Sequence, residues 1–156
     1  LEVKNRGEYL MPEPSIRLAK MWEDVDFFEL QMEIKGLNCM IYIDIYTSNE
    51  DLEELRQGIN NFSNSKGNEF IWTSGNDIEN VTHFLSIRFF IHNNRGHIGI
   101  EIIADNKMEK PYHMRSNFFI ITELNQLDDF AKKLERLINE DTIELESIIP
   151  ANDRLV

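Results

Sequence analysis

Cysteine is nearly absent: Cys39 stands alone in 156 residues, so no intrachain disulfide can form and no cysteine-rich zinc site can be built. That usage fits a reducing compartment or indifference to redox. Glycine and proline are sparse at 7 and 4, which excludes fibrous repeats and low-complexity tails. Long apolar runs are missing as well; Phe118-Phe119-Ile120-Ile121 is among the longest and falls far short of the about 20 residues a membrane helix needs. Cations are scarce, 16 Lys and Arg against 28 Asp and Glu, and the net charge of -12 repels phosphate backbones and anionic lipid. Neither nucleic acid nor membrane is therefore expected as a partner. Finally, there is no GxGxxG, no GxxxxGK before Ser or Thr, no GxSxG, no HExxH and no CxxC. Without those signals the expectation is a non-enzyme that holds no cofactor. The chain opens at Leu1 with no basic, apolar, small-residue signal pattern after it.

What is present suffices for one packed domain over 1–156: 42% hydrophobic residues at a length that leaves little room for a second core. Residues 27–35 alternate, with Phe28, Leu30, Met32 and Ile34 on one side and Glu29, Gln31, Glu33 and Lys35 on the other, the two-residue period of a half-buried strand. After a turn at Gly36 to Asn38, Cys39, Ile41, Ile43 and Ile45 alternate with Met40, Tyr42, Asp44 and Tyr46, completing an antiparallel hairpin. Ser48 is placed to cap a helix whose Leu52, Leu55, Ile59 and Phe62 share one face. Residues 69–73 read as a short strand. Residues 83–91 and 97–104 read as strands joined by the turn Asn93-Asn94-Arg95-Gly96. Residues 116–122 read as a last strand, followed by an amphipathic helix over 123–139.

Tight turns between strand pairs exclude repeated parallel crossovers. The order predicts an α+β domain, a mainly antiparallel curved sheet or sandwich of about six strands with two amphipathic helices. Its expected core is Leu30, Ile34, Ile43, Leu55, Ile87, Phe89, Ile100, Phe119, Leu127 and Leu134.

Three sets of residues invite a functional reading. First, His92 and His97 bracket a turn, and with Glu101 or His113 they could hold a metal; exposed loop histidines are the plainer reading, and no metal is expected. Second, the acids cluster. Glu50, Asp51, Glu53 and Glu54 face only Arg56 in the first helix, and Glu123, Asp128, Asp129, Glu135, Glu140, Asp141, Glu144 and Glu146 outnumber Lys132, Lys133 and Arg136 in the second acidic stretch. Solvated helix faces explain this, and so does a surface that attracts a basic partner. Third, Tyr42, Asp44 and Tyr46 form a Tyr-x-Asp-x-Tyr row on the non-core face of the second strand. Aromatics around an acid suit contacts with Arg or Lys, and a helix could equally cover that face.

A strand through Phe28-Glu29-Leu30 to Gly36, a second through Tyr42 to Tyr46 into a leucine-bearing helix, two long strands joined by a short turn, and Phe118-Phe119-Ile120-Ile121 feeding Leu124-Asn125-Gln126-Leu127-Asp128-Asp129-Phe130 together set a pattern. It resembles the WapI-type immunity proteins of bacterial polymorphic-toxin systems across about residues 27–138. Residues 1–26 and 140–156 lie outside the resemblance and are expected to be peripheral extensions. What the resemblance implies is a cytoplasmic antidote that binds and occludes a cognate toxin, a basic enzyme, without catalysis. The contact pool is then Glu50, Asp51, Glu53, Glu54, Asp128 and Asp129, with Tyr42, Asp44 and Tyr46 as the competing patch. The alternative is a sandwich module for a small molecule or carbohydrate.

Overall fold

The structure, a computed structural model, describes residues 13–64 and 67–151. Strands β1 (Ile16–Glu23), β2 (Phe28–Lys35) and β3 (Met40–Thr47) lead into helix α1 (Asn49–Ser63). Strands β4 (Glu69–Gly75), β5 (Phe84–Ile91), β6 (His97–Asp105) and β7 (Arg115–Glu123) follow, then helix α2 (Leu124–Ile138) and β8 (Glu144–Ser147). The fold is α+β. The described strands form two open antiparallel sheets of four, ordered β3-β2-β1-β8 and β4-β5-β6-β7, where the sequence had suggested about six strands in all.

The extra strands come from the stretches expected to be peripheral. β1 is an inner strand of the first sheet, paired to β2 on one side and β8 on the other. Its inward positions are Ile16, Leu18 and Lys20, and the Lys20 ammonium explains why the apolar alternation stops early. Nζ donates to the Leu137 carbonyl at 2.8 Å and to Asn49 Oδ1 at 3.0 Å, and sits 4.5 Å over the Phe28 ring. The cation thus meets the negative end of α2, while burial lowers its pKa. Farther along, Ile148 is fully buried and Pro150 bridges to Thr122, so the tail closes over β7.

Local chemistry sets the helices. Ser48 Oγ accepts the Asp51 N–H at 3.2 Å, and Glu50 and Asp51 lie in the first turn of α1. Leu52, Leu55, Ile59 and Phe62 are buried, as are Leu127, Phe130, Ala131, Leu134 and Leu137 of α2, and the two helices pack on each other. One contiguous core joins both helices to the inner faces of both sheets.

Of the expected core, Phe119 is the correction: it keeps 49% exposure. Apolar residues fill both faces of Phe118 to Ile121, so alternation cannot set the phase there. Pairing does, placing Ile120 beside Ile100 and Phe118 beside Ile102. Phe118 points inward and packs on the β2–β3 turn, where a Cβ on Gly36 would lie 2.5 Å from its ring.

Another glycine is equally constrained. A Cβ at Gly58 of α1 would fall 1.9 Å from Phe70 Cζ, on a ring stacked against Phe89 at 5.8 Å. Helix propensity alone makes Gly58→Ala stabilising by about 1 kcal/mol. Overpacking reverses the sign here, and chemical denaturation is expected to show a net loss of about 1–3 kcal/mol. A gain would mean that the Phe70 ring moves aside freely.

Candidate functional site

Alternation and register together build the site on the outward face of the first sheet. Cross-strand pairing lines up Glu146, Arg17, Glu33 and Tyr42 in one row and Glu144, Ala19, Gln31 and Asp44 in the next, with Glu29 beside Tyr46 farther on. Among the described residues no helix covers this face: Tyr42 is 65% and Tyr46 51% exposed. Ala19 is the short side chain among long neighbours, and above it lies a hollow of about 440 Å³ lined by Arg17, Gln31, Glu33, Tyr42, Asp44 and Glu144 among others.

Carboxylates dominate this surface. Arg17 is bound to Glu146 at 2.7 Å, and Lys35 lies 2.6 Å from Glu13 and 3.5 Å from Glu33. The contact with Glu13 is the main reason the Lys35 pKa is raised. Among the described residues no ion pair or side-chain hydrogen bond engages Glu29, Asp44 or Glu144. Such a face can receive Lys or Arg against its acids and aromatic rings.

The helical acids are elsewhere, and none of them lines the hollow. Glu53 already holds Arg56, with Nε at 2.8 Å, and that contact depresses its pKa. Asp129 accepts from Ser147 Oγ at 2.8 Å and pairs with Lys133 at 3.0 Å. Asp51 is half-buried beneath a 3.4 Å contact from Thr47 Oγ1. Glu50, Glu54 and Asp128 are exposed. The two patches that the sequence set in competition are therefore distinct in the structure. Arg17, Glu144 and Glu146 are the site residues that sequence reasoning missed, because only the pairing of β1 with β2 and with β8 brings them onto the face that carries Tyr42 and Asp44.

His92 and His97 do face each other across the turn, the His92 N–H donating to the His97 carbonyl at 3.0 Å, but their candidate co-ligands are engaged elsewhere. His97 Nδ1 and Asn93 Nδ2 are 2.8 Å apart, whereas His113 bonds to Asp105 at 3.0 Å and Glu101 to Arg88 at 2.9 Å. Among the described residues no group of three or more His, Cys, Asp or Glu is placed to hold a metal. Asp105, buried at the end of β6, also accepts the Lys107 N–H at 2.8 Å and Arg115 at 3.1 Å. Arg115 grips Asp77 with two bonds of 2.9 and 3.0 Å, and with Lys107 it pulls the Asp77 pKa down to about 2. The cluster pins the β6–β7 loop.

His83 is buried, within 2.8 Å of Ser74 Oγ and 3.2 Å of Thr82 Oγ1. Burial lowers its pKa below the ordinary 6.5. The unfolded chain then binds this proton more readily, so His83 contributes stability above about pH 6.5 that is lost as pH falls toward the depressed folded value. Urea denaturation at pH 7.5 and 5.5 is expected to show the gap between wild type and His83→Gln narrowing at the lower pH. A constant gap would show that His83 charges freely in the fold.

No protein-family model matches the chain, and no curated protein matches it. No helix among the described residues is long and apolar enough to cross a membrane.

Proposed function

We propose that this chain is a non-catalytic binding protein that neutralises a basic protein enzyme by covering it, the cytoplasmic antidote role implied by its resemblance to WapI-type immunity proteins. The observation that carries the reading is the uncovered face of the first sheet, where Tyr42 and Tyr46 of β3 stand beside Glu33 and Glu29 of β2, and Asp44 shares a cross-strand row with Glu144 at the far edge. Carboxylates fixed on a sheet can occupy the place of phosphates in a nucleic-acid-binding enzyme. The net charge of -12 would speed encounter with such an enzyme by long-range steering and disfavours nucleic acid and anionic membrane as partners. Exposed tyrosines supply the rigid aromatic area that concentrates binding energy.

A small polar ligand such as a sugar is the second reading, favoured by the hollow over Ala19 beside Tyr42 and Gln31. Co-expression with the product of the adjacent reading frame tests the first. A stable complex that co-purifies, with an association rate falling steeply from low to physiological salt, is the expected result. Absence of any complex, together with saturable sugar binding at the hollow, would replace the first reading by the second.

A further inference from the structure

The order β3-β2-β1-β8 leaves β3 at one end of its sheet. Which of its main-chain groups face outward follows from the hairpin. The Gly36 N–H donates to the Cys39 carbonyl at 2.7 Å, and antiparallel pairs alternate between bonded and non-bonded. Along the register, Ile34–Ile41, Met32–Ile43, Leu30–Ile45 and Phe28–Thr47 are then the bonded pairs. Lys35 agrees, because its N–H turns the other way, to the Ser15 carbonyl at 2.7 Å. The N–H and C=O groups of Met40, Tyr42, Asp44 and Tyr46 therefore point away from β2. Among the described residues, no backbone hydrogen bond outside the sheet reaches them.

Exposed edges are normally blunted by Lys, Pro, a bulge or a covering element. β3 contains neither Lys nor Pro, pairs with β2 without a register break, and among the described residues no other strand pairs with it. Other edges differ. β8, the opposite edge of the first sheet, is only four residues long and its Glu146 carbonyl already accepts from Lys133 Nζ at 2.7 Å, and Pro150 with Ala151 meets β7. β4 offers Glu69 as its one acid, already bound to Arg88 at 3.0 Å.

We propose that β3 accepts an added antiparallel strand, an extended cationic segment of the partner protein with Lys or Arg at alternate positions. The inference rests on the function proposed above and specifies how the partner docks. Directly opposed residues in an antiparallel pair share a face, so the residues that bond to Tyr42, Asp44 and Tyr46 also place their side chains beside that row. Cations there meet Asp44 and the two rings. A second copy is a poor occupant. Two-fold pairing about Asp44 sets carboxylate against carboxylate, and each copy carries -12.

The test titrates the full chain with the amidated peptide Arg-Thr-Arg-Thr-Arg-Thr-Arg and follows backbone amide exchange by NMR. In the free protein the Ile41, Ile43 and Ile45 amides should exchange slowly and those of Tyr42, Asp44 and Tyr46 fast. At saturation the fast set should slow at least tenfold, whereas a peptide of equal charge N-methylated on its arginine nitrogens should leave it fast. Tyr42→Pro removes an outward N–H that the sheet does not use and should weaken the peptide at least tenfold. If that variant misfolds, the two peptides still decide the matter on the native chain. Equal slowing by both peptides, or concentration-dependent slowing with no peptide, overturns the proposal. Peptide binding that leaves the amides fast overturns strand addition while the acidic-face reading stands; no peptide binding overturns both.

Discussion

Phe89→Ala is expected to lower the free energy of unfolding by about 3–5 kcal/mol. The ring is fully buried on an inner strand, between Phe70 of β4 and Ile100 of β6 in the register. It stacks on Phe70 at 5.8 Å and lies 6.4 Å from Phe62 of α1, so its removal opens a void bounded by a sheet on one side and a helix on the other. Neither wall can close the gap without shifting backbone that other residues hold, which puts the cost toward the upper end for an aromatic truncation. Phe119→Ala is the matched control. Its ring stands on the outer face of the same sheet, in edge contact with Phe90 at 6.1 Å, and its loss is expected to cost about 1 kcal/mol or less. Urea denaturation with an unchanged slope checks both. Equal losses would mean that the phase of β7 is inverted.

That contrast also marks where periodicity stops being informative. Alternation fixed the inward faces of β2 and β3 because Leu30, Met32 and Ile34 of β2 and Ile41, Ile43 and Ile45 of β3 recur at every second position, and hairpin geometry then paired them without ambiguity. Both helices were legible from their apolar stripes, and for α1 from Ser48 as well. β7 was legible as a strand but not in phase. β1 was not legible at all, since Lys20 occupies an inward position for a reason local patterning cannot supply: it terminates one helix and steadies the start of another. β8, with four residues, carries too short a pattern to stand out in an acidic tail.

The site shows the same division. Tyr42, Asp44 and Tyr46 fall on one face by alternation alone. Their neighbours Arg17 and Glu144 lie far away in the chain and arrive only through strand pairing. The helical acids looked stronger because charge density is visible in a sequence, whereas the bonds that already engage Glu53 and Asp129 are not so easily read.

Placement rather than total charge should therefore decide partner binding, and two double variants separate the two. Asp44→Lys with Glu144→Lys changes both ends of the row that crosses the hollow, Glu144–Ala19–Gln31–Asp44. Glu54→Lys with Asp128→Lys makes the same change in net charge on the helices, again at exposed positions. Because net charge changes equally, loss of long-range steering should slow association to a similar extent in both. Only the sheet variant places ammonium groups where the partner's own cations would sit. It is expected to weaken the complex by about a hundredfold or more, on the order of 3 kcal/mol, chiefly through faster dissociation. The helix variant should lose less than about tenfold, and that loss should disappear in high salt, where charges more than about 8 Å apart are screened. Binding kinetics of the purified pair at two ionic strengths would read all of this. The opposite ranking would move the interface to the helices, and equal small losses would leave the acidic face without a role in recognition.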